Sequence, residues 1–157
     1  MKRRIFTTSD GSHSIMVDEL RESFHSENGS IQESEHTFIK EGLRYLNDTF
    51  KPKAINVFEV GFGTGLNAAL TQLWQTNNSV PIKYFGIEAF PLEEEIWSAL
   101  NYHEQIPSLN KSNFDTGSVD KIISLLSTSF HVFINVTHII AHVSVVLPFH
   151  KAFVYPN

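Results

Sequence analysis

The distribution of apolar residues predicts alternating strands and helices in the central part of the chain. Short apolar runs at 55–60 and 82–88 are typical of buried strands. Between them, apolar residues recur at helical spacing over about 66–74, and the Asn-Asn-Ser sequence at 77–79 is typical of a helix end. Strands separated by helices in this order indicate a parallel sheet with crossover helices, so the pattern predicts an α/β fold.

Different patterns precede this part of the chain. Residues 4–17 predict a β-hairpin whose turn contains Asp10 and Gly11, a pair that is typical of tight turns between strands. Apolar residues at helical spacing predict a helix over 33–47. We therefore expect a small N-terminal β-hairpin extension and a helix ahead of the sheet.

Further elements are predicted after the second central strand. Pro91 is expected at the first position of a helix that continues to Leu100, because proline is well tolerated at that position. A helix is also predicted over 118–127, and two strands are predicted at 130–136 and 139–147.

The length of the chain suits one domain. Its 157 residues, of which 41% are hydrophobic, are enough to bury a single core. We predict one domain over 1–157. It would comprise a hairpin and helix at 1–50, a βαβα core at 55–105 and a tail of atypical composition at 118–157.

The composition changes near the last acidic residue, Asp120. No Asp or Glu follows it, and no charged residue lies between Lys121 and Lys151. Polar residues interrupt this segment and β-branched residues are frequent in it, so buried strands are favoured over a membrane-spanning helix. His138 and His142 are four residues apart, but the segment has no acidic residue or cysteine to complete a metal site. The sequence therefore predicts no metal site and no membrane association.

The charge of the chain bears on its partners. The net charge is −5, from 12 cationic and 17 acidic side chains, and a negative chain is not an obvious binder of nucleic acid. Cationic residues at 2–4, Lys51 and Lys53 could still contact phosphates. The chain has no cysteine and no long apolar stretch near Met1, so we expect a cytoplasmic location.

Three alternating glycines follow the first central strand: Gly61, Gly63 and Gly65. A glycine loop between a strand and a helix lets a ligand lie against the main chain, because glycine has no Cβ. Dinucleotide-binding loops read Gly-x-Gly-x-x-Gly, and here Leu66 stands at the place of their third glycine. The loop therefore favours S-adenosylmethionine over NAD, with a tight turn that binds no ligand as the alternative.

Polar residues flank this loop. Glu88 ends the second strand about 20 residues further on, where a carboxylate commonly binds ribose hydroxyls. Asn67 lies in the first turn of the following helix, whose free N–H groups favour an anion. Two roles are open for Glu59: a buried carboxylate that holds loop N–H groups or the ammonium group of the cofactor, or a half-exposed position at the strand end that holds the loop in shape.

Five motifs resemble those of a known family. They are Thr-Ser-Asp-Gly-Ser at 8–12, His-Ser-x-x-Gly at 25–29, Glu-Ser-x-x-Thr-Phe-Ile at 33–39, Glu-Val-Gly-Phe-Gly-Thr-Gly-Leu-Asn at 59–67 and Ile-Glu-x-x-Pro-Leu at 87–92. Together they resemble the methyltransferase domain that completes 5-methylaminomethyl-2-thiouridine at the wobble position of tRNA. The resemblance covers roughly two-thirds of the chain.

The resemblance implies a Rossmann-like methyltransferase fold that uses S-adenosylmethionine and acts on tRNA. The glycine loop would surround the methionine part of the cofactor, and Glu88 would hold the ribose hydroxyls. Cofactor contacts are expected at Glu59, Gly61, Gly63, Gly65, Asn67 and Glu88, and by resemblance alone at His25, Ser26 and Glu33. In some bacteria the family's domain is fused to a flavin oxidoreductase, so the resemblance also implies such a partner.

The chain departs from the family after about residue 120. It lacks the Asp-Ala-Phe-x-Pro string that lies near the transferred methyl group in the family, so we assign no catalytic residue. The fold is expected to be incomplete or altered there, and an incomplete sheet would expose an edge and favour a homo-oligomer. The alternative function is a non-catalytic or truncated module for cofactor binding or association. A nicotinamide- or flavin-linked oxidoreductase is a third hypothesis, which Leu66 disfavours.

Overall fold

The computed structural model of the protein describes residues 2–109 and the backbone of residues 151–156. The elements in chain order are strands β1 (Arg3–Thr7), β2 (His13–Val17) and β3 (Glu22–Ser23), helix α1 (Ser30–Ser34), a π-helical segment (Glu35–Arg44), helix α2 (Tyr45–Phe50), strand β4 (Ile55–Val60), helix α3 (Leu66–Asn78), strand β5 (Ile82–Ile87), helices α4 (Glu94–Trp97) and α5 (Tyr102–Gln105), and strand β6 (Lys151–Pro156). Outside the described residues lie the predicted helix at 118–127, the predicted strands at 130–136 and 139–147, and His138 and His142.

The central sheet has the strand order β5–β4–β6. Strands β4 and β5 are parallel, with Ile55 opposite Ile82 and Val60 opposite Ile87, so the two strands end together. Helix α3 connects them, which confirms the predicted strand–helix–strand unit. Strand β6 pairs antiparallel with the other side of β4, whereas the apolar pattern predicts no strand at 151–156.

One face of this sheet forms the core. Ile55 and Val57 of β4 are fully buried, whereas Phe58 and Val60, which follow them at alternate positions, are exposed, as expected for side chains that alternate between faces. The buried face belongs to one hydrophobic cluster with α3 and the π-helical segment. Burying a large apolar side chain of this kind contributes roughly 1.5–3 kcal/mol. The cluster thereby fixes the position of α3 against β4 and β5.

The backbone is helical without a break from the start of α1 to the end of α2. The helix predicted over 33–47 is therefore present and extends beyond both predicted ends. The four apolar residues at helical spacing are buried, whereas Tyr45 and Phe50 of α2 are exposed; the buried residues are Phe38, Ile39, Leu43 and Leu46. It ends at Lys51, whose φ of +46° is left-handed. No helix within the described part of the chain is long and apolar enough to cross a membrane.

The predicted N-terminal hairpin is confirmed by the antiparallel pairing of β1 with β2. Asn101 attaches this hairpin to the segment that follows β5. Its Nδ2 donates to the carbonyl of Gly11 at 2.9 Å, and its Oδ1 accepts from the N–H of His13 at 2.8 Å. The hairpin is thus bound to a part of the chain that lies about 90 residues away.

The helix predicted from Pro91 to Leu100 is wrong at both ends, because helix α4 covers only Glu94–Trp97. Helix α4 begins only at Glu94, and the backbone at Glu93 is extended, with ψ of 149°. The carbonyl of Pro91 would accept an intrahelical bond if a helix began there. It accepts instead from the guanidinium of Arg3 at 2.9 Å, so a contact from the hairpin overrides the local pattern.

The turn of the hairpin caps helix α1. Asp10 Oδ2 accepts from the N–H of Gln32 at 2.9 Å, and Ser12 Oγ accepts from the N–H of Ser30 at 3.1 Å. A Cβ at Gly29 would collide with the Asp10 carboxylate, so this position requires glycine. Burial alone would raise the pKa of Asp10, but the hydrogen bonds from Ser12 and Gln32 lower it overall. These contacts give the Thr-Ser-Asp-Gly-Ser sequence a structural role.

Asp10→Ala is expected to lower the free energy of unfolding by about 2 kcal/mol, because it leaves N–H groups of the first turn of α1 unpaired. Since the native pKa of Asp10 is lowered, the part of this contribution that depends on its charge is present above pH 3.8 and is lost as the pH falls through the native pKa. Urea unfolding at several pH values measures it. The matched control is Asp18→Ala. The carboxylate of Asp18 pairs with Arg4 at the surface, and its removal is expected to cost less than about 0.5 kcal/mol of stability. Equal losses in the two variants would contradict the capping role.

Candidate functional site

The loop between β4 and α3 has a backbone that requires glycine at three positions. The φ angle is +83° at Gly61, +55° at Gly63 and +74° at Gly65. This left-handed conformation costs other residues roughly 1–2 kcal/mol each. Helix α3 begins directly after Gly65, and no side chain caps it within the described structure. The loop therefore brings the first-turn N–H groups of α3 to the end of β4.

The loop is anchored at the end of β5. The N–H groups of Gly61 and Phe62 both donate to the carbonyl of Ile87, at 2.8 and 3.1 Å. The N–H of Gly63 donates to Oε2 of Glu88 at 2.8 Å. The loop that follows β4 is thus hydrogen-bonded to Ile87, the last residue of β5, and to Glu88, the residue after it.

The ring of Phe62 is buried against two glycines. A Cβ at Gly86 would lie 2.7 Å from a carbon of this ring, and a Cβ at Gly65 would lie 3.0 Å from another. Gly86 is in β5, opposite Glu59 of β4. In the sequence, Gly86 carries one signal of this role: it is a glycine inside an otherwise apolar strand, which often marks close approach of another group.

Glu88 is partly buried and uses each carboxylate oxygen once. Besides the bond from Gly63, its Oε1 accepts from the N–H of Phe90 at 2.9 Å. A carboxylate can accept about four hydrogen bonds, so both oxygens keep capacity for a ligand. An acceptor of this kind at the end of a parallel strand is suited to a pair of sugar hydroxyls.

Glu59 is buried, with 2% of its surface exposed, and both of its oxygens are hydrogen-bonded. Asn67 Nδ2 donates to Oε1 at 2.9 Å, and the Tyr84 hydroxyl donates to Oε2 at 2.7 Å. Burial raises the pKa of Glu59 to about 7, although these two hydrogen bonds act in the opposite direction. Glu59 is therefore not half exposed at the strand end. It connects β4 to β5 and to the first turn of α3, through a tyrosine that the local sequence pattern does not single out.

The segment that contains His25, Ser26 and Glu33 contacts the glycine loop at Thr64. Nε2 of His25 lies 3.1 Å from the Thr64 hydroxyl, within hydrogen-bond distance. Nδ1 of the same ring lies 3.7 Å from Oε2 of Glu33, which also accepts from the N–H of Ser26 at 2.7 Å. The structure thus brings together residues that are about 40 positions apart in sequence.

All nine predicted cofactor residues lie in or beside these contacts. The glycine loop and Glu88 form one contact group, Glu59 and Asn67 a second, and the N-terminal residues a third. Within residues 2–109, no three His, Asp or Glu side chains are placed to hold a metal ion.

The three N-terminal cations at 2–4 differ in their exposure and partners. The side chain of Arg3 is 8% exposed and faces the segment after β5. Arg4 Nε pairs with Asp18 at 2.9 Å, and Lys2 Nζ lies 3.7 Å from the same residue. Because exposed ion pairs are weak, the side chains of Lys2 and Arg4, which are 78% and 54% exposed, stay accessible at the surface, whereas that of Arg3 does not.

The described elements define a mixed α/β fold with a parallel strand pair and helices, which is compatible with the predicted Rossmann-like class. No protein-family model and no curated protein matches the chain. Among solved structures, the chain is similar to MNMC2 from Aquifex aeolicus, with a TM-score of 0.54 and 25% sequence identity. The match covers 85% of this chain and 42% of that chain, so this chain spans less than half the length of that protein.

Glu59→Gln is expected to change how stability depends on pH. Because burial raises the native pKa of Glu59 from 4.5 to about 7, the folded state holds this proton more tightly than the unfolded state does. The stability of the wild-type chain therefore falls as the pH rises through this interval, by roughly 3 kcal/mol at 1.36 kcal/mol per pKa unit. A glutamine at position 59 stays neutral, so the stability of the variant does not fall in this way as the pH rises.

Denaturant unfolding of both proteins between about pH 5 and about pH 8 measures how the free energy of unfolding of each depends on pH. The control is Glu95→Gln, which removes an exposed carboxylate on α4 and should leave the wild-type pH dependence unchanged. Parallel stability curves for Glu59→Gln and the wild-type chain would contradict the raised pKa.

Proposed function

We propose that the chain is an S-adenosylmethionine-binding domain of the methyltransferase type, and that its glycine loop and Glu88 hold the cofactor. The hydrogen bond between Gly63 and Glu88 carries this proposal. It joins a strand-to-helix glycine loop to the carboxylate that ends the neighbouring parallel strand. Ligands of open α/β sheets bind at the carboxyl ends of such strands.

The described residues fit this cofactor in three ways. The left-handed glycines place no Cβ between the main chain and a ligand at Gly61 and Gly63. Glu88 retains acceptor capacity for ribose hydroxyls. The first turn of α3 has no side-chain cap, so its N–H groups suit the carboxylate of the methionine part.

The other predicted residues would support this site. Glu59 and Asn67 would hold the start of α3 in position through their mutual hydrogen bond. His25, Ser26 and Glu33 would cover the loop from the N-terminal side, since His25 already contacts Thr64. The similarity in fold to MNMC2 from Aquifex aeolicus adds support for this arrangement.

The bound cofactor would supply a methyl group on a sulfonium, which an unprotonated amine attacks in line as the carbon–sulfur bond breaks and its electron pair stays on sulfur. The chain would contribute mainly by holding the two reactants in attack geometry. Glu88 would fix the ribose, and the loop N–H groups would fix the methionine end. We assign no residue as the acceptor of the amine proton.

The proposed substrate is an aminomethyl group on the wobble uridine of tRNA, in a cytoplasmic setting. It rests on the motif strings at 8–12, 25–39 and 59–67, which resemble those of the wobble-uridine methyltransferase family. The net charge of −5 does not add to this proposal. A flavin oxidoreductase partner and a homo-oligomer stay predictions.

The second candidate is a module that binds the cofactor without chemistry. The observation in its favour is that the chain lacks the Asp-Ala-Phe-x-Pro string and has no acidic residue after Asp120. Transfer of labelled methyl groups to tRNA that carries the aminomethyl precursor distinguishes the two candidates. Incorporation above a no-enzyme control supports the enzyme, and its absence in a chain that binds the cofactor supports the module.

Calorimetric titration is expected to show binding of S-adenosylmethionine and S-adenosylhomocysteine and no binding of NAD. Glu88→Ala should weaken binding by about tenfold to a hundredfold, since hydrogen bonds to a charged acceptor contribute about 1.5–3 kcal/mol.

The matched control is Glu95→Ala, which removes the same charge from an exposed position on α4 and should bind as the wild-type chain does. Circular dichroism of each variant shows whether it is folded. A folded wild-type chain that binds neither ligand, or unchanged binding in Glu88→Ala, would overturn the proposed cofactor site.

A further inference from the structure

The N-terminal hairpin inserts an arginine beside the loop that follows Glu88. Arg3 lies in β1, and its side chain is 8% exposed. Its Nη2 donates to the carbonyl of Phe90 at 2.7 Å, and its Nη1 donates to the carbonyl of Pro91 at 2.9 Å. Nη1 also lies 3.1 Å from Oε2 of Glu93. A buried guanidinium therefore holds two consecutive carbonyl groups of this loop.

The same loop holds Glu88. The N–H of Phe90 donates to Oε1 of Glu88, while the carbonyl of Phe90 accepts from Arg3. Oε2 of Glu88 accepts from the N–H of Gly63. Phe90 is thus held at both of its main-chain groups, and an unbroken series of hydrogen bonds leads from Arg3 through Phe90 and Glu88 to the glycine loop.

An ordinary surface ion pair does not account for this arrangement. The carboxylate of Glu93 is 60% exposed, and exposed pairs contribute little to stability. In contrast, Nε of Arg3 is buried and has no partner among the described residues, which carries a desolvation cost. The contacts that offset this cost are the charge-assisted bonds to the carbonyls of Phe90 and Pro91. These bonds define where the loop after β5 lies.

We propose that Arg3 is a positioning residue for Glu88, and through it for the part of the site that binds ribose hydroxyls. The ribose part of this inference rests on the proposed function. The neighbouring Arg4 offers a matched control, because its side chain is 54% exposed and pairs with Asp18 within the hairpin.

The first test measures amide hydrogen exchange in the ligand-free full chain. In Arg3→Met, exchange at Gly63 and Phe90 is expected to rise at least about fivefold, because Glu88 is less well held, while Ala69 in α3 exchanges as in the wild-type chain. Arg4→Met should leave all three amides unchanged. Wild-type exchange at Gly63 and Phe90 in Arg3→Met would overturn the proposal, as would an equal rise at Ala69.

If Arg3→Met does not fold, Arg3→Lys is measured in the same way. Lysine keeps the charge but cannot hold two carbonyls with a planar fork, so a smaller rise at the same two amides is expected. Wild-type exchange at both amides in this variant would overturn the proposal.

The second test is a double-mutant cycle on the affinity for S-adenosylhomocysteine, measured by NMR titration. Arg3→Met is expected to weaken binding about tenfold in the wild-type background and less than about twofold in the Glu88→Ala background, as for residues in one hydrogen-bond network. Equal weakening in both backgrounds would overturn the role of Arg3 and leave the cofactor site intact. If the wild-type chain does not bind, the proposed function fails, and the exchange measurement still decides whether Arg3 positions Glu88.

Discussion

The hydrogen bond from the N–H of Gly63 to the carboxylate of Glu88 is the contact on which the candidate site depends. It forms because β4 and β5 are parallel and in a register that ends both strands together. It also needs the left-handed backbone at Gly63, which directs the N–H toward the neighbouring strand. One contact therefore joins the sheet topology, the glycine spacing and the acidic residue at the place where we propose that the cofactor binds.

Two carboxylates at this place have different environments. Glu59 is buried and its pKa is raised to about 7, so it serves as an internal hydrogen-bond partner for Tyr84 and Asn67. Glu88 is partly exposed and keeps free acceptor capacity. The first carboxylate stabilises the start of α3, and the second is available to a ligand. The N-terminal part of the chain adds support from outside the central sheet, through Arg3 of β1 and through His25, which follows β3.

Local sequence patterns predict the parts of this structure that local physics determines. The strands of the central unit, helix α3, the three glycines and the position of Glu88 all follow from periodicity and spacing. The contacts made by distant residues are not predictable in this way. Arg3 binds carbonyls near Pro91 and prevents the helix that proline favours there. The pairing of Tyr84 with Glu59 and the addition of β6 to the sheet likewise depend on the tertiary arrangement.

We propose that the glycine loop and the end of β5 form one cofactor site. The most direct measurement is a titration of the isotope-labelled chain with S-adenosylhomocysteine, followed by the amide NMR signals of every residue. We expect the largest saturable shifts to occur together at Gly61, Gly63, Gly65 and the residues around Glu88, with amides of the β1–β2 turn unchanged. Saturable shifts confined to another part of the chain, or none in a folded protein, would contradict this proposal.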